Sequence, residues 1–390
     1  MKKKLKEICS KIHRGKTPKY IDSSDVLVFA QKCNLQTGGI DLNKCLCLDT
    51  KNIQKWQKED YLFREDILIN STGIGTLGRV GYFDTFSEKP VVPDTHVTVV
   101  RVSDSNVYSK WVYYCLKNKQ DFLISKGHGS TKQQELATSE IEKIEIPCPD
   151  LLFQKRSVNF LDTIQSAIDN KKQQLALLDE AVKSKFIEMF GENPVENGKW
   201  KVEKLGDCGT FKNGMNYSPN ENGVDILCLN VSDFKDNYKI QDCKTLSSIS
   251  LNEEPSSEYY LQNDDIVFVR SNGNKKLVGR CVALYPNDCK VLFSGFCIRF
   301  RKSTDNLNTD FLLHFLKTDL TREHLKGKGA NIQNLNQQIL ANLHLPVPPL
   351  DLQNQFASFV QQIDKSKSLV KQQITDLQEL LDSKMQEYFG

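Results

Sequence analysis

The stretch QNQFASFVQQIDKSKSLVKQQITDLQELLDSKMQEYFG, Gln353 to Gly390, decides the fold, because it has a second copy. Gln154 to Gly191 reads QKRSVNFLDTIQSAIDNKKQQLALLDEAVKSKFIEMFG. At a constant shift of 199 residues Phe160 falls on Phe359, Ile164 on Ile363, Lys172-Gln173-Gln174 on Lys371-Gln372-Gln373 and Phe190-Gly191 on Phe389-Gly390. In each copy the apolar residues step by three and four. Ile164, Ile168, Leu175, Leu178 and Val182 mark the first stripe, and Ile363, Val370, Ile374, Leu377 and Leu381 the second. Lys, Gln, Asp and Glu fill the gaps, the pattern of an amphipathic helix with near-heptad period. Such a helix would be about 55 Å long, more than a small globular domain needs inside it. Two matched copies favour helices that pack on each other as a coiled coil.

The repeat extends outward from the helices to the whole chain. Glu65-Asp66-Ile67-Leu68-Ile69, Ser71-Thr72-Gly73 and Gly78-Arg79-Val80 are answered by Asp264-Asp265-Ile266-Val267-Phe268, Ser271-Asn272-Gly273 and Gly279-Arg280-Cys281. Ile146-Pro147-x-Pro149 is answered by Leu345-Pro346-x-Pro348. Each half before its long helix reads as mixed α and β. Val26–Phe29, Asp66–Ile69 and Thr95–Val102 are β-rich, as are Asp225–Leu229, Ile266–Val269 and Phe296–Arg301. In the last of these the alternation predicts apolar residues on one face and arginines on a wet face. A shorter helix is expected over 110–124 and 309–324, then a glycine loop and a final strand over 141–146 and 340–345. The prolines that follow should end the domain, since they cannot continue a ladder.

Composition narrows the function classes. The 390 residues suggest two or three domains, and a net charge of +3 means that a polyanion must be met by local patches. Most of the twelve cysteines sit in apolar runs such as Leu227-Cys228-Leu229, so they read as reduced core thiols of a cytoplasmic protein. Cys45-x-Cys47 is the one close pair and has no histidine at ligand spacing, which argues against zinc. Neither a signal peptide nor a run of membrane-spanning length is expected.

Gly73-Ile74-Gly75-Thr76-Leu77-Gly78 is a literal Gly-x-Gly-x-x-Gly after a strand. A dinucleotide site needs a helix to open there, whereas Arg79-Val80-Gly81-Tyr82-Phe83 is strand-like. The second half has Ser271-Asn272-Gly273-Asn274-Lys275-Lys276 at the same place, so the shared feature reads as a polar turn in a hairpin. Asp264-Asp265, at a strand start with no histidine or metal partner, reads as a solvated turn. No Walker loop, zincin helix or nucleophile elbow occurs, and Asn193-Pro194-Val195 is the nearest approach to an adenine-methyltransferase box. The chain reads as non-catalytic.

Both halves do offer polar loops beside isolated bases. The first has Lys16, Thr17, Lys19, Tyr20, Arg79, His128, Ser130, Thr131, Lys132 and Gln133. The second has Asn216, Tyr217, Asn272, Lys275, Lys276, Arg280, Lys328, Asn331, Gln333 and Asn334. Lys and Arg neutralise phosphates, while Asn, Gln and Arg pair with base edges. Charged and amide residues also populate ordinary exposed loops; occurrence at matching places in both halves favours binding for the group as a whole.

The order of a variable α/β unit, Pro-x-Pro, a Gln-containing helix start and a heptad helix closing in Ser-Lys-x-x-x-x-Phe-Gly, all repeated, resembles the DNA specificity subunit of type I restriction-modification systems. The resemblance implies an α+β chain with two tandem target recognition domains, 1–150 and 192–349. Their helices, 151–191 and 350–390, would pair as an antiparallel coiled coil with pseudo-two-fold symmetry. It also implies double-stranded DNA, two methyltransferase subunits and restriction subunits as partners. S-adenosylmethionine, ATP and Mg would sit on those partners, with none in this chain. An antiparallel pair would separate two readers whose loops differ, so the DNA site should be two unlike half-sites with a gap. A coiled-coil scaffold that binds protein, an S-like subunit of a type II system and an enzyme using the Gly73 loop are the alternatives.

Overall fold

The computed structural model describes residues 1–36, 39–130, 133–218, 220–234, 237–274, 276–326 and 335–390. The chain forms two compact units, one of Met1–Lys172 with Lys371–Gly390 and the other of Gln173–Val370.

The first unit is built on an antiparallel sheet of β1 (Cys9–Arg14), β2 (Asp66–Asn70), β3 (Val80–Phe83) and β4 (Val97–Val102), in the order β1-β4-β2-β3. Side chains alternate across a strand, and here both sides are covered. Ile67, Ile69, Val80 and Val100 pack with Trp111, Val112 and Cys115 of helix α1 (Ser109–Asn118). Leu68, Val97 and Val99 point the other way and pack with Phe29, Cys33 and Val91. Those last residues come from or flank a second sheet of Tyr20–Ile21, Leu46–Leu48, Leu27–Phe29 and Val91–Pro93, in which Leu27–Phe29 runs parallel to Val91–Pro93. Double coverage is why Asp66-Ile67-Leu68-Ile69 reads as a continuous apolar run after its aspartate. Helix α2 (Leu151–Phe190) begins in this unit.

The second unit repeats the plan. Strands β5 (Gly209–Asn213), β6 (Asp265–Val269), β7 (Cys281–Leu284) and β8 (Cys297–Lys302) form the sheet β5-β8-β6-β7, extended by Lys239–Ile240 parallel to β7. Helix α3 (Thr309–Leu316) covers it, capped by Asn308, whose Oδ1 accepts from Asp310 N at 2.9 Å and Phe311 N at 3.3 Å. Helix α4 (Leu350–Phe389) begins here.

The two long helices pair antiparallel, as each unit shows separately. In the first, Leu161, Ile164 and Ile168 near the start of α2 share a core with Leu381, Met385 and Phe389 at the end of α4. In the second, Val182, Phe186 and Phe190 at the end of α2 share a core with Phe356 and Val360 near the start of α4, and Lys367 pairs with Asp179. Of the stripe residues, Ile164, Ile168, Val182, Val370 and Leu381 are buried; Leu175, Leu178, Ile363, Ile374 and Leu377 are half-buried.

Several sequence expectations change in detail. The shorter helices each break in two: α1 stops at Asn118 and Gln120–Ser125 follows, and α3 is followed by Asp319–Lys326. The expected final strands begin as helical turns, Thr138–Glu142 and Gln337–Ala341, before the strands Glu145–Pro147 and His344–Val347. Pro147 and Pro346 belong to those strands, opposite Lys2 and Val202. Among the described residues each strand has one partner, so a proline can stand on it without breaking a second ladder. Strand β8 has no wet face: Arg299 is buried and donates to Glu258 O at 3.2 Å, and Arg301 is half-buried against Asp265. Asp265 is therefore a buried ion-pair partner, not a residue of a solvated turn.

Candidate nucleic-acid interface

Antiparallel pairing brings the polar loops together. In the first unit β1 and β2 end, and β3 and β4 begin, at one edge of the sheet, with Arg14 opposite Thr98, Ile69 opposite both Thr98 and Val80, and Asn70 opposite Val97. The segments that leave this edge, 15–20, 71–79 and 94–96, are joined there. Gly15 N donates to Val97 O at 3.1 Å, Ser71 N donates to His96 O at 2.8 Å, and Thr72 Oγ1 and His96 Nδ1 are hydrogen bonded at 2.6 Å. The hairpin His128–Ser130 and Gln133–Glu135 joins them, since Leu136 N donates to Ser71 O at 2.8 Å and Arg14 donates to Leu136 O at 2.5 Å and pairs with Glu135. Gly15 is required by close approach: a Cβ there would lie 2.1 Å from Pro93 O.

The second unit keeps this frame. Gly214 N donates to Cys297 O at 3.0 Å, Arg270 N to Phe296 O at 2.7 Å and Leu335 N to Arg270 O at 2.8 Å. A Cβ on Gly214 would lie 2.1 Å from Ser294 O, as for Gly15. Gly78 and Gly279 share φ +77°, a left-handed value that lets each hairpin turn enter its next strand. The frame is common and the side chains on it differ: these hydrogen bonds place Ser71 where Arg270 is, one residue before the Ser271 that the sequence repeat matched to it, and His96 where Phe296 is.

The sequence-predicted residues have mixed surroundings. Thr17, Lys19, Tyr20, His128, Asn216 and Lys276 are exposed at or beside this edge. Lys16 is held by Asp60 at 2.5 Å and by Lys55 O at 2.6 Å. Burial pushes the Asp60 carboxyl up, but Lys16, Gln57 N–H and Lys11 outweigh it and hold it well below the usual range. Arg79 braces the glycine turn, donating to Gly75 O at 2.8 Å and Asn34 O at 3.4 Å. Tyr217 donates to Asn230 Oδ1 at 3.1 Å and packs beside Ile226 and Leu292. Asn272 Oδ1 accepts from Asn274 N at 2.8 Å, shaping its turn, and Arg280 is half-buried where that turn ends. Ser130 and Gln133 lie on the hairpin strands. Thr131, Lys132, Lys275, Lys328, Asn331, Gln333 and Asn334 lie outside the described residues.

Sequence reasoning missed His96, Phe296 and Arg270. For His96 and Phe296 the signal was present in the repeat, as unlike residues at matched places where a loop meets a strand, whereas Arg270 was hidden because the repeat sets Ser71 against Ser271; only the strand register shows that all three share the edge with the polar loops. Among the described residues no group of three or more His, Cys, Asp and Glu is placed to hold a metal ion, and no helix is long and apolar enough to cross a membrane.

Comparison with known proteins agrees with this architecture. The chain is 26% identical over 257 residues to the specificity subunit of the type I restriction enzyme StySPI from Salmonella potsdam, covering 61% of this chain and 54% of that one. It is 24% identical over 289 residues to the MjaVIII specificity subunit of Methanocaldococcus jannaschii, covering 68% and 66%. The chain thus spans about half to two thirds of the length of these relatives. The crystal structure of a type I restriction-modification S subunit from M. genitalium shares the fold, with TM-score 0.56 at 15% identity over 100% of this chain and 96% of that one. Residues 1–180 and 197–379 each match the model of the type I restriction modification DNA specificity domain, so the duplicated chain belongs to that family.

Proposed function

We propose that this chain is the sequence-reading subunit of a type I restriction-modification complex, each unit addressing one half of a bipartite, asymmetric DNA site. One observation carries the reading. At one edge of the central sheet both units gather the same loops on the same backbone frame, yet they place different side chains on it. A repeated frame with unlike tips suits two readers of unlike half-sites, because base-edge contacts set sequence while the frame sets position. The chain itself performs no chemistry. Exposed Leu177 on α2 and Leu369 on α4 offer apolar surface for protein partners. Two methyltransferase subunits and the restriction subunits dock on this chain, and they carry S-adenosylmethionine, ATP and Mg in the cytoplasm.

Long-read sequencing of DNA methylation tests the reading, in cells carrying the adjacent methyltransferase with and without this chain. A gapped asymmetric motif should appear only with the chain present, and exchange of residues 1–150 should alter one half-site alone. An unchanged methylome would refute the DNA-reading role and favour a protein scaffold.

A further inference from the structure

At the tip of the turn that leads into β8, Phe296 leaves 63% of its surface exposed. The turn beneath it is fixed on every side. Ser294 Oγ accepts from Phe296 N at 3.2 Å, Gly295 N donates to Met215 O at 2.8 Å, and Phe296 O accepts from Arg270 N. Asn216 lies over the turn so closely that a Cβ on Gly295 would be 1.9 Å from its Oδ1. The ring is thus held out in water by a rigid support, whereas aromatic rings ordinarily gain by burial. Exposure alone does not single it out, since Phe86 is more exposed. Phe86, however, lies in the loop after β3, at the opposite edge of its sheet from the gathered polar loops. Phe296 stands among them, beside Arg270 and Asn216.

The first unit has His96 at this place. Its N–H donates to Asp94 Oδ1 at 2.8 Å, as that of Phe296 does to Ser294, and its ring is steadied by Thr72. The backbone device is retained while the tip is polar in one unit and apolar in the other.

Resting on the DNA-reading role above, we propose that this turn holds a base-reading residue in each unit. Phe296 reads by apolar contact with a base and His96 by a hydrogen bond from its ring. Apolar contact with DNA has two sources, the thymine methyl group in the major groove and the face of a base in an opened step.

The test uses the full chain assembled with its methyltransferase and a duplex carrying the methylated motif. Phe296→Ala should weaken binding to that duplex by about tenfold, within the range for loss of one base contact, and leave binding to unrelated DNA and the melting temperature unchanged. Phe296→Ala and Phe296→His should relax or change one position in one half-site. Replacing thymine by deoxyuridine at that position should cost the parent several-fold and the Ala variant nothing if the methyl group is read. A 2-aminopurine there should brighten with the parent alone if the ring enters the stack; either result supports the proposal. If both variants methylate the parental motif at the parental rate, Phe296 reads nothing and the proposal falls. If the parent itself selects no motif, the DNA-reading role fails first, and the two failures are told apart by the parental control.

Discussion

Arg101 grips Asp66 through two parallel hydrogen bonds, Nε to Oδ1 at 2.7 Å and Nη2 to Oδ2 at 2.6 Å, and Arg301 grips Asp265 through the same two at the same lengths. Both carboxylates are 1% exposed at the first residue of a central strand. Their arginines also donate to backbone carbonyls, Tyr61 O at 2.9 Å and Tyr260 O at 3.0 Å, so each pair ties its sheet to the segment that precedes it. Breaking one partner of such a pair strands a charge and costs about 3–5 kcal/mol. Asp66→Asn should therefore lower the stability of the first unit by an amount of that order in urea denaturation. Arg101→Gln should leave the salt dependence of DNA binding intact, because Arg101 is engaged inside the unit. A reduced salt slope would instead make Arg101 a phosphate contact.

Gln154 and Gln353 form a second matched pair, both fully buried in the first turn of a long helix. Gln154 Oε1 accepts from Tyr108 N at 2.9 Å, while its Nε2 donates to Asn106 O at 3.1 Å and Pro149 O at 2.8 Å. Gln353 does the same with Asn308 N, Asn306 O and Pro348 O at 2.9, 3.1 and 2.8 Å. One amide thus sets the angle at which each helix leaves its Pro-x-Pro segment. Gln154→Ala leaves an N–H and two carbonyls without this partner, and should cost about 2–3 kcal/mol. The double variant with Gln353→Ala should lose close to the sum, since the two sites share no partner. A loss under about 0.5 kcal/mol for each would mean that water replaces the amide.

The parts of this fold that were legible in the sequence are those written as local periods and repeated. The stripe from Ile164 to Val182 fixes a helix by spacing alone, and its recurrence from Ile363 to Leu381 identifies a partner of the same kind. The glycine turn at Gly73 was readable as a hairpin because the second copy answers it with a polar turn that has no glycine at the place of Gly75. What was not legible depends on partners far apart in the chain. Lys16 looks like a free base until Asp60 is folded beside it, and Arg301 looks wet until Asp265 and Tyr260 O surround it. Phe296 looked like a core residue of its strand, because residue type does not reveal that the strand starts one position later.

The contrast between Lys16 and Lys19 gives a direct check on the interface. Lys16 is bound to Asp60 and Lys55 O, whereas the side chain of Lys19 is exposed on the same loop. Each phosphate neutralised contributes a near-integral step to the dependence of log K on log salt. Lys19→Ala should lower that slope by about 1 with little change in stability. Lys16→Ala should leave the slope nearly unchanged and shift the urea midpoint downward, because Asp60 loses one of its two lysine partners. The reverse assignment would move the DNA face toward Asp60.

Two half-buried histidines make stability depend on acid in a defined window. Burial holds His13 down at about 4, helped by Lys11 and opposed by Asp60. Burial likewise holds His314 down at about 3, helped by Lys317, Lys239 and Lys367, with its ring between Tyr238 and Phe356. Both are neutral in the folded chain at pH 5, whereas in the unfolded chain each takes up a proton below about pH 6.5. The unfolded state then binds more protons, so stability is highest above pH 6.5 and falls as the pH drops toward 4. The limiting slope is about 1.4 kcal/mol per pH unit for each histidine. His314→Phe keeps an aromatic ring against Tyr238 and Phe356 and removes the proton. It should flatten the decline of the second unit's urea midpoint between pH 6.5 and 4.5, with little change at pH 8. An unaltered decline would place the acid sensitivity in groups other than His314.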